Sequence, residues 1–289
     1  MPVLTETAKA KVNLTLRILG RRLDGFHELE SLVAFAEIGD VLKLEPGDGL
    51  DIAVSGPFAG SLGQDNLVVE AARRVLAICP SCRAGRLHLE KNLPVAAGLG
   101  GGSSDAAAAL RLLLKANPEH LGHQDVAPLC PKLGADIAVC LDQRLAMMWG
   151  LGEKVSTLGA LPRTPIVLVN PGVALATAEV FRALDAGRYD GPDRESPADP
   201  PPPFDTVGAL AGYLESRGND LEAAAIGLAP IVGDVKASLS AQAACLIARM
   251  SGSGATCFGI FESQANANRA AERIGRAHPE WWVAASNLA

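Results

Sequence analysis

The stretch Pro94 to Ala109, PVAAGLGGGSSDAAAA, limits what this chain can fold into more than any other. Four glycines, Gly98, Gly100, Gly101 and Gly102, lead into Ser103 and Ser104 and then into an alanine- and leucine-rich helical pattern. Glycine tolerates positive φ and lets a ligand come close to the main chain, so several N–H groups can face one concavity. A helix beginning at about Ser103 or Ser104 aims its unpaired N–H groups and positive dipole end at the same place. A di- or triphosphate suits such a place. The better-known phosphate loops are excluded by spacing. A P-loop needs a lysine before its Ser/Thr, and none stands here; the dinucleotide fingerprint needs a third glycine where the chain has Ser103. The chain also lacks the His-Arg-Asp and Asp-Phe-Gly of protein kinases.

At 289 residues the chain is long enough for one large or two moderate domains. A formal charge of −6, with no lysine/arginine cluster, argues against nucleic acid as the main partner. No apolar run reaches membrane-spanning length and Met1-Pro2-Val3 begins no signal peptide, so a cytoplasmic protein without a membrane partner is expected. The six cysteines are scattered. Cys79 and Cys82 form a Cys-x-x-Cys, but no second pair completes a zinc site, and reduced thiols are expected.

Read in order, 7–19 ends in period-two alternation of Val12, Leu14, Leu16 and Ile18, a half-buried strand with Lys11 and Asn13 on its other parity. The spacing predicts two strands, 30–35 and 40–45, joined around Gly39, another at 50–54, and a loop over 55–63. It then predicts a helix over 66–78 capped by Asp65 or Asn66, a strand over 86–91, and the loop's helix over 105–116. A short helix over 124–133 follows, with strand or buried segments at 137–141 and 145–149. Further on come a strand at 165–169, a helix at 177–184 and a flexible, proline-rich surface insertion over 189–204 that only connects. Helices over 223–239, a glycine turn at Ser251 to Gly254 before a strand, a helix over 264–277 and a last strand at 283–285 complete the chain. This order suits an α+β protein of two domains, 1–155 and 156–289, divided where the pattern loosens between Gly150 and Pro165.

Three stretches resemble the GHMP-type small-molecule kinases: Ala10-Lys11-Val12-Asn13-Leu14, Pro94 through Ser104, and Met250-Ser251-Gly252-Ser253-Gly254-Ala255. Within that superfamily, Asp24-Gly25-Phe26-His27-Glu28-Leu29, the run from Gly98 to Asp105, and Gly134-Ala135-Asp136 are similar to the kinases of 4-diphosphocytidyl-2-C-methyl-D-erythritol, enzymes of the methylerythritol phosphate route to isoprenoid precursors. The resemblance implies a two-domain GHMP-kinase-like fold, with a ribosomal-protein-like N-terminal α+β half and a ferredoxin-like C-terminal α+β half. It implies transfer of the ATP γ-phosphoryl group to the 2-hydroxyl of the methylerythritol moiety. Lys11 and Asp136 match the catalytic pair. ATP would be held by Asn66 and by Pro94, Val95, Ala96, Ala97, Gly98, Leu99, Gly100, Gly101, Gly102, Ser103 and Ser104, with Mg2+ as its counterion. Asn13, Phe26, His27 and Phe181 would hold the cytidine substrate, a phenyl ring standing where relatives often have tyrosine. No metal-ligating side chain is identified. Two positions depart from the pattern: Ala138 and Ala178 stand where relatives usually carry proline, which bears on pocket shape rather than on reacting groups.

Two other readings share parts of this pattern. A kinase of homoserine or mevalonate would keep the glycine loop but lack the Gly25-Phe26-His27 segment. A regulatory nucleotide-binding module would not need both Lys11 and Asp136.

Overall fold

The computed structural model describes residues 2–61 and 66–288. Asp65, one of the two expected caps, and the end of the 55–63 loop at Leu62-Gly63 lie outside the described residues. In chain order the elements are β1 (Leu4–Asn13), β2 (Arg17–Arg21), β3 (His27–Glu45), β4 (Leu50–Ser55), α1 (Leu67–Ile78), β5 (Gly85–Glu90) and α2 (Gly101–Ala116). Next are α3 (His123–Val126), α4 (Cys130–Leu133), α5 (Ile137–Asp142), β6 (Ala146–Gly150), β7 (Lys154–Thr157), β8 (Thr164–Asn170) and α6 (Thr177–Leu184). Last are α7 (Val207–Glu215), α8 (Glu222–Leu228), α9 (Ile231–Ser240), β9 (Cys245–Met250), β10 (Cys257–Phe261), α10 (Gln264–Ala277) and β11 (Trp282–Leu288). The α+β organisation expected from the sequence is borne out.

The chain divides into two compact units. The first comprises Met1–Lys11, Ile38–Val95 and Gly100–Gln143. In it the later part of β3 pairs antiparallel with β5, Val41 opposite Glu90, and β4 pairs parallel with β5, Leu50 opposite Gly85. Two parallel strands need a crossover, and α1 supplies it. Asn66 caps α1 by accepting a hydrogen bond from the Val68 N–H at 2.9 Å, while Val68, Ala71, Ala72 and Val75 form its buried face. That face packs on α2, in which Ala106 to Leu110, Leu112 and Leu113 are buried.

The second unit comprises Val12–Glu37, Ala96–Leu99 and Arg144–Ala289. There the first half of β3 pairs with β2 and β6, and β11 lies between β3 and β8, with Leu288 opposite Ala36 and Val283 opposite Val169. β10 continues beyond β8, and β9 beyond β10. Val167, Val169, Cys257 and Phe261 meet Val232, Val235, Leu239, Ala267, Ala270 and Ile274 from α9 and α10 in one apolar core.

Several expectations are corrected. Residues 30–45 form part of one 19-residue strand, not two strands turning at Gly39. A Cβ at Gly39 would lie 2.2 Å from the Ala8 carbonyl oxygen, so the glycine is there to let β1 approach, not to reverse the chain. The segment over 7–19 is not half-buried: Ala10 to Leu16 are all buried, and β1 and β2 are separate strands. Residues 137–141 are helical, because a short apolar run carries no periodicity that separates strand from helix. The helix after the glycine loop starts at Gly101, earlier than expected. Cys79 and Cys82 are joined as a disulfide rather than free, the end of α1 bringing their Cα atoms to 5.4 Å. The proline-rich insertion is tied down: Glu30 accepts from Arg194 Nη1 at 2.7 Å and from the Ala198 N–H at 2.6 Å, and Trp149 Nε1 donates to the Arg194 carbonyl at 3.0 Å.

Candidate active site

Positive φ at Ala96 (53°), Gly98 (74°) and Gly100 (60°) winds the glycine loop into a tight coil ahead of α2. Ala96 is a non-glycine residue in the left-handed region, a conformation that costs about 1–3 kcal/mol and collects at functional sites. Gly100 is the N-cap of α2 and provides no side-chain cap. The first N–H groups of a 16-residue helix therefore open on the loop without a capping side chain. Ser103 is half-buried. Ser104 is fully buried, its hydroxyl donating to Cys140 Sγ at 3.3 Å. Leu67, next to Asn66, lies 3.7 Å from where a Cβ on Gly102 would be, which sets the start of α1 beside the start of α2.

In the same unit, Lys11 Nζ lies 2.8 Å from Asp136 Oδ2. The lysine is buried and about a third of the Asp136 side chain is open. A Cβ on Gly100 would fall 2.9 Å from Lys11 Cε, so the lysine arm runs directly under the last residue of the loop. Lysine, aspartate and bare helix end thus share one locality: a cation beside a carboxylate that can accept a proton, next to N–H groups suited to phosphate. Arg111 of α2 fixes the carriers of this group, pairing with Glu6 at 2.8 Å on β1 and donating to the Cys140 carbonyl at 2.8 Å on α5. Burial, and after it the Asp136 charge, pushes the Cys140 thiol up to about 12, so it stays protonated beneath the pair.

A second cluster underlies the loop. Lys91 is buried between Asp40 and Asp105, donating to Asp105 Oδ2 at 2.7 Å and to Asp40. Asp40 Oδ1 also accepts from the Asn92 and Leu93 N–H groups at 2.6 and 2.8 Å, fixing the chain just before Pro94. Asp105 belongs to the first turns of α2, and its Oδ1 has no hydrogen-bond partner among the described residues. Burial raises Asp105 to about 7; Lys91 opposes that rise and the like charge of Asp40 adds to it. Asp40 and Lys91 carry no local sequence signal, whereas Asp105 is visible as the end of the glycine-loop motif.

In the second unit, Asn13, Gly98 and the Ser251–Gly254 turn come together. The Asn13 N–H donates to Ser251 Oγ at 3.1 Å, Ser251 Oγ donates to the Gly98 carbonyl at 2.9 Å, and the Thr256 N–H donates to the Ala97 carbonyl at 3.2 Å. Asn13 Nδ2 donates to Ser31 Oγ at 2.7 Å. Also in this unit, a cavity of about 650 Å³ is lined by Arg21, Phe26, His27, Thr177, Ala178 and Phe181, among others. His27 and Phe181 have ring centroids 4.8 Å apart, and Phe26 projects with 62 % of its surface exposed. Desolvation, and then Arg21, lowers the pKa of His27, so its ring is neutral near pH 7. Ala178, where a proline was expected, lines this cavity.

Among the described residues no cluster of three or more His, Cys, Asp or Glu could hold a metal, and no helix is long and apolar enough to cross a membrane.

The family model for the GHMP kinases N terminal domain matches residues 66–144, and that for the GHMP kinases C terminal matches 204–280. The chain is 50% identical over 285 residues to the 4-diphosphocytidyl-2-C-methyl-D-erythritol kinase of Parvibaculum lavamentivorans, covering 98% of this chain and 97% of that one. It is 51% identical over 292 residues to the enzyme of the same name from Methylobacterium radiotolerans, covering both chains fully. Among solved structures, a 4-(cytidine 5'-diphospho)-2C-methyl-D-erythritol kinase superposes with a TM-score of 0.77 at 35% identity over 99% of each chain. The homoserine kinase of Cytophaga hutchinsonii, at 19% identity and a TM-score of 0.70 over 99% of this chain and 96% of that one, shares the fold.

Proposed function

The chain belongs to the GHMP kinase family, and from that premise we propose that it transfers the γ-phosphoryl group of ATP to the 2-hydroxyl of 4-diphosphocytidyl-2-C-methyl-D-erythritol, a step toward isoprenoid precursors. GHMP kinases take the phosphoryl group from ATP. The observation that carries the reading is the Lys11–Asp136 pair, 2.8 Å apart beneath Gly100 at the bare start of α2. Asp136 accepts the proton of the attacking hydroxyl, whose oxygen bonds to the γ-phosphorus as the bond to the departing ADP breaks. Lys11, 2.8 Å from the carboxylate, holds it in place and offsets negative charge on the moving phosphoryl group. The loop from Pro94 to Ser104 holds the polyphosphate on main-chain N–H groups, Asn66 borders the nucleoside, and Ser104 braces the loop from below through Cys140.

The cavity at Phe26, His27 and Phe181 takes the cytosine, with Phe26 stacking on the base and Asn13 reaching the methylerythritol. In this reading residues 1–155 hold ATP and 156–289 contribute to the substrate pocket. A magnesium ion fits as a companion of the nucleotide, held mainly by phosphate oxygens, because the carboxylates near the loop already face Lys11 and Lys91. Once bound, it would neutralise β- and γ-phosphate charge. The reading assigns the enzyme to the cytoplasm and gives it no nucleic-acid or membrane partner.

The test is ADP release with the diphosphocytidyl alcohol, mevalonate and homoserine as competing acceptors. Turnover confined to the cytidyl compound supports the reading. Preference for either other alcohol would replace it with another kinase of the family, and binding of ATP and the cytidyl compound without turnover would leave a regulatory module.

A further inference from the structure

The turn Ser251–Gly254 touches more of the candidate machinery than its distance along the chain suggests. Ser251 is fully buried, and its single hydroxyl is used twice: it accepts from the Asn13 N–H at 3.1 Å and donates to the Gly98 carbonyl at 2.9 Å. Contact at Gly98 is so close that a Cβ there would sit 2.4 Å from the Ser251 carbonyl oxygen. The turn is held from its other side by Asn219, whose Nδ2 donates to the Met250 and Gly252 carbonyls at 2.9 and 2.7 Å. One residue further on, Ser253 Oγ lies 2.9 Å from Thr177 Oγ1, at the start of the helix that carries Phe181.

We propose that Ser251 is a positioning residue for phosphoryl transfer: its hydroxyl locks the strand bearing Asn13 to the bend of the glycine loop at Gly98. Resting on the kinase reading, the proposal adds a residue that touches neither reactant. The physical reason is the geometry of hydroxyl sharing. A hydroxyl that donates to one segment and accepts from another fixes their separation to a few tenths of an ångström. Removing it leaves the buried Asn13 N–H and the partly buried Gly98 carbonyl to seek other partners, so both segments relax. Nothing that binds a substrate is deleted. What is lost is the alignment of donor and acceptor, to which in-line transfer is most sensitive.

The test compares Ser251→Ala and Ser253→Ala with the wild-type enzyme, measuring kcat, KM for ATP and for the cytidyl alcohol, and the stoichiometry of bound nucleotide. For Ser251→Ala, kcat should fall about 10- to 100-fold with full nucleotide stoichiometry and both KM values within roughly threefold of wild type. Ser253→Ala, which loses its bond to Thr177 beside the cytidyl pocket, should instead raise KM for the cytidyl alcohol. A Ser251→Ala enzyme with kcat within about twofold of wild type overturns the proposal. So does a loss of kcat that merely tracks a loss of nucleotide-binding molecules, or a rise in KM for ATP alone. Failure of the kinase reading would show separately, as absent wild-type turnover of the cytidyl alcohol. The Ser251→Ala ratio would then be measured with whichever alcohol the wild type accepts.

Discussion

Replacing Asp105 by asparagine keeps the shape of a buried side chain and removes its proton. Burial, opposed by Lys91 and reinforced by Asp40, raises the folded-state pKa of Asp105 to about 7, whereas an unfolded aspartate titrates near 3.9, so roughly the folded protein binds this proton about three units more tightly. Below about pH 4 both states carry the proton. Between about 4 and 7 the folded state holds it and the unfolded state does not, so unfolding releases it. The stability this group contributes is therefore fully present at low pH and is lost as pH rises through the folded value. Each unit is worth about 1.4 kcal/mol, so from pH 5 to 8 the loss comes to roughly 2–3 kcal/mol, almost all of it before pH 7.5. Asparagine cannot titrate. Urea unfolding followed by far-ultraviolet circular dichroism at pH 5, 6, 7 and 8 should thus show the variant gaining about 2–3 kcal/mol on the wild type across that range. Parallel stability curves, differing by a constant, would refute the reasoning, because they would mean that Asp105 stays ionised beside Lys91 throughout.

Three further outcomes follow from the geometry. Asp136→Asn should lower kcat by about 10²-fold or more while leaving ATP affinity almost unchanged, and near-normal turnover would remove Asp136 from the base role. Phe26→Ala should raise KM for the cytidyl alcohol by about five- to thirtyfold, matching lost stacking of ~1–2 kcal/mol, and an unchanged KM would withdraw the ring from that contact. Gly98→Ala puts a methyl group 2.4 Å from the Ser251 carbonyl oxygen at a φ of 74°; it should lower the melting temperature and raise KM for ATP by about tenfold or more, as titrated calorimetrically and kinetically.

Local chemistry was legible where it acts locally. Helix α10 spans the expected residues because Ser263 caps it and its apolar spacing has the helical period, and Asn66 announces α1 in the same way. Gly39 misled because turns and close strand approach use the same residue, and the sequence does not name the neighbour that is approaching. Ile137 to Leu141 misled because five apolar residues fit a buried strand as well as a helix. At the candidate site, the loop announced phosphate through its glycines alone, whereas Lys11 and Asp136 became partners only by resemblance, since 125 positions separate them. No pattern suggested that Lys91 would be sandwiched between Asp40 and Asp105, or that one hydroxyl at Ser251 would serve both Asn13 and Gly98. Such groups are recruited by tertiary packing, and their consequences are electrostatic or geometric rather than periodic.

The place of β11 has a consequence for how the molecule is made. It is the last strand in sequence order, yet it lies inside the sheet, with β3 on one side and β8 on the other. During synthesis β8 is finished long before β11 emerges, so its edge carries an unsatisfied row of main-chain groups while it waits, and β3 waits for its pairing at Ala36. Pairing Leu288 with Ala36 closes a loop of most of the chain, a slow, non-local event. The newborn protein should therefore spend its longest vulnerable interval with open edges in its second unit, where a holding chaperone would find its binding surface and where self-association would begin.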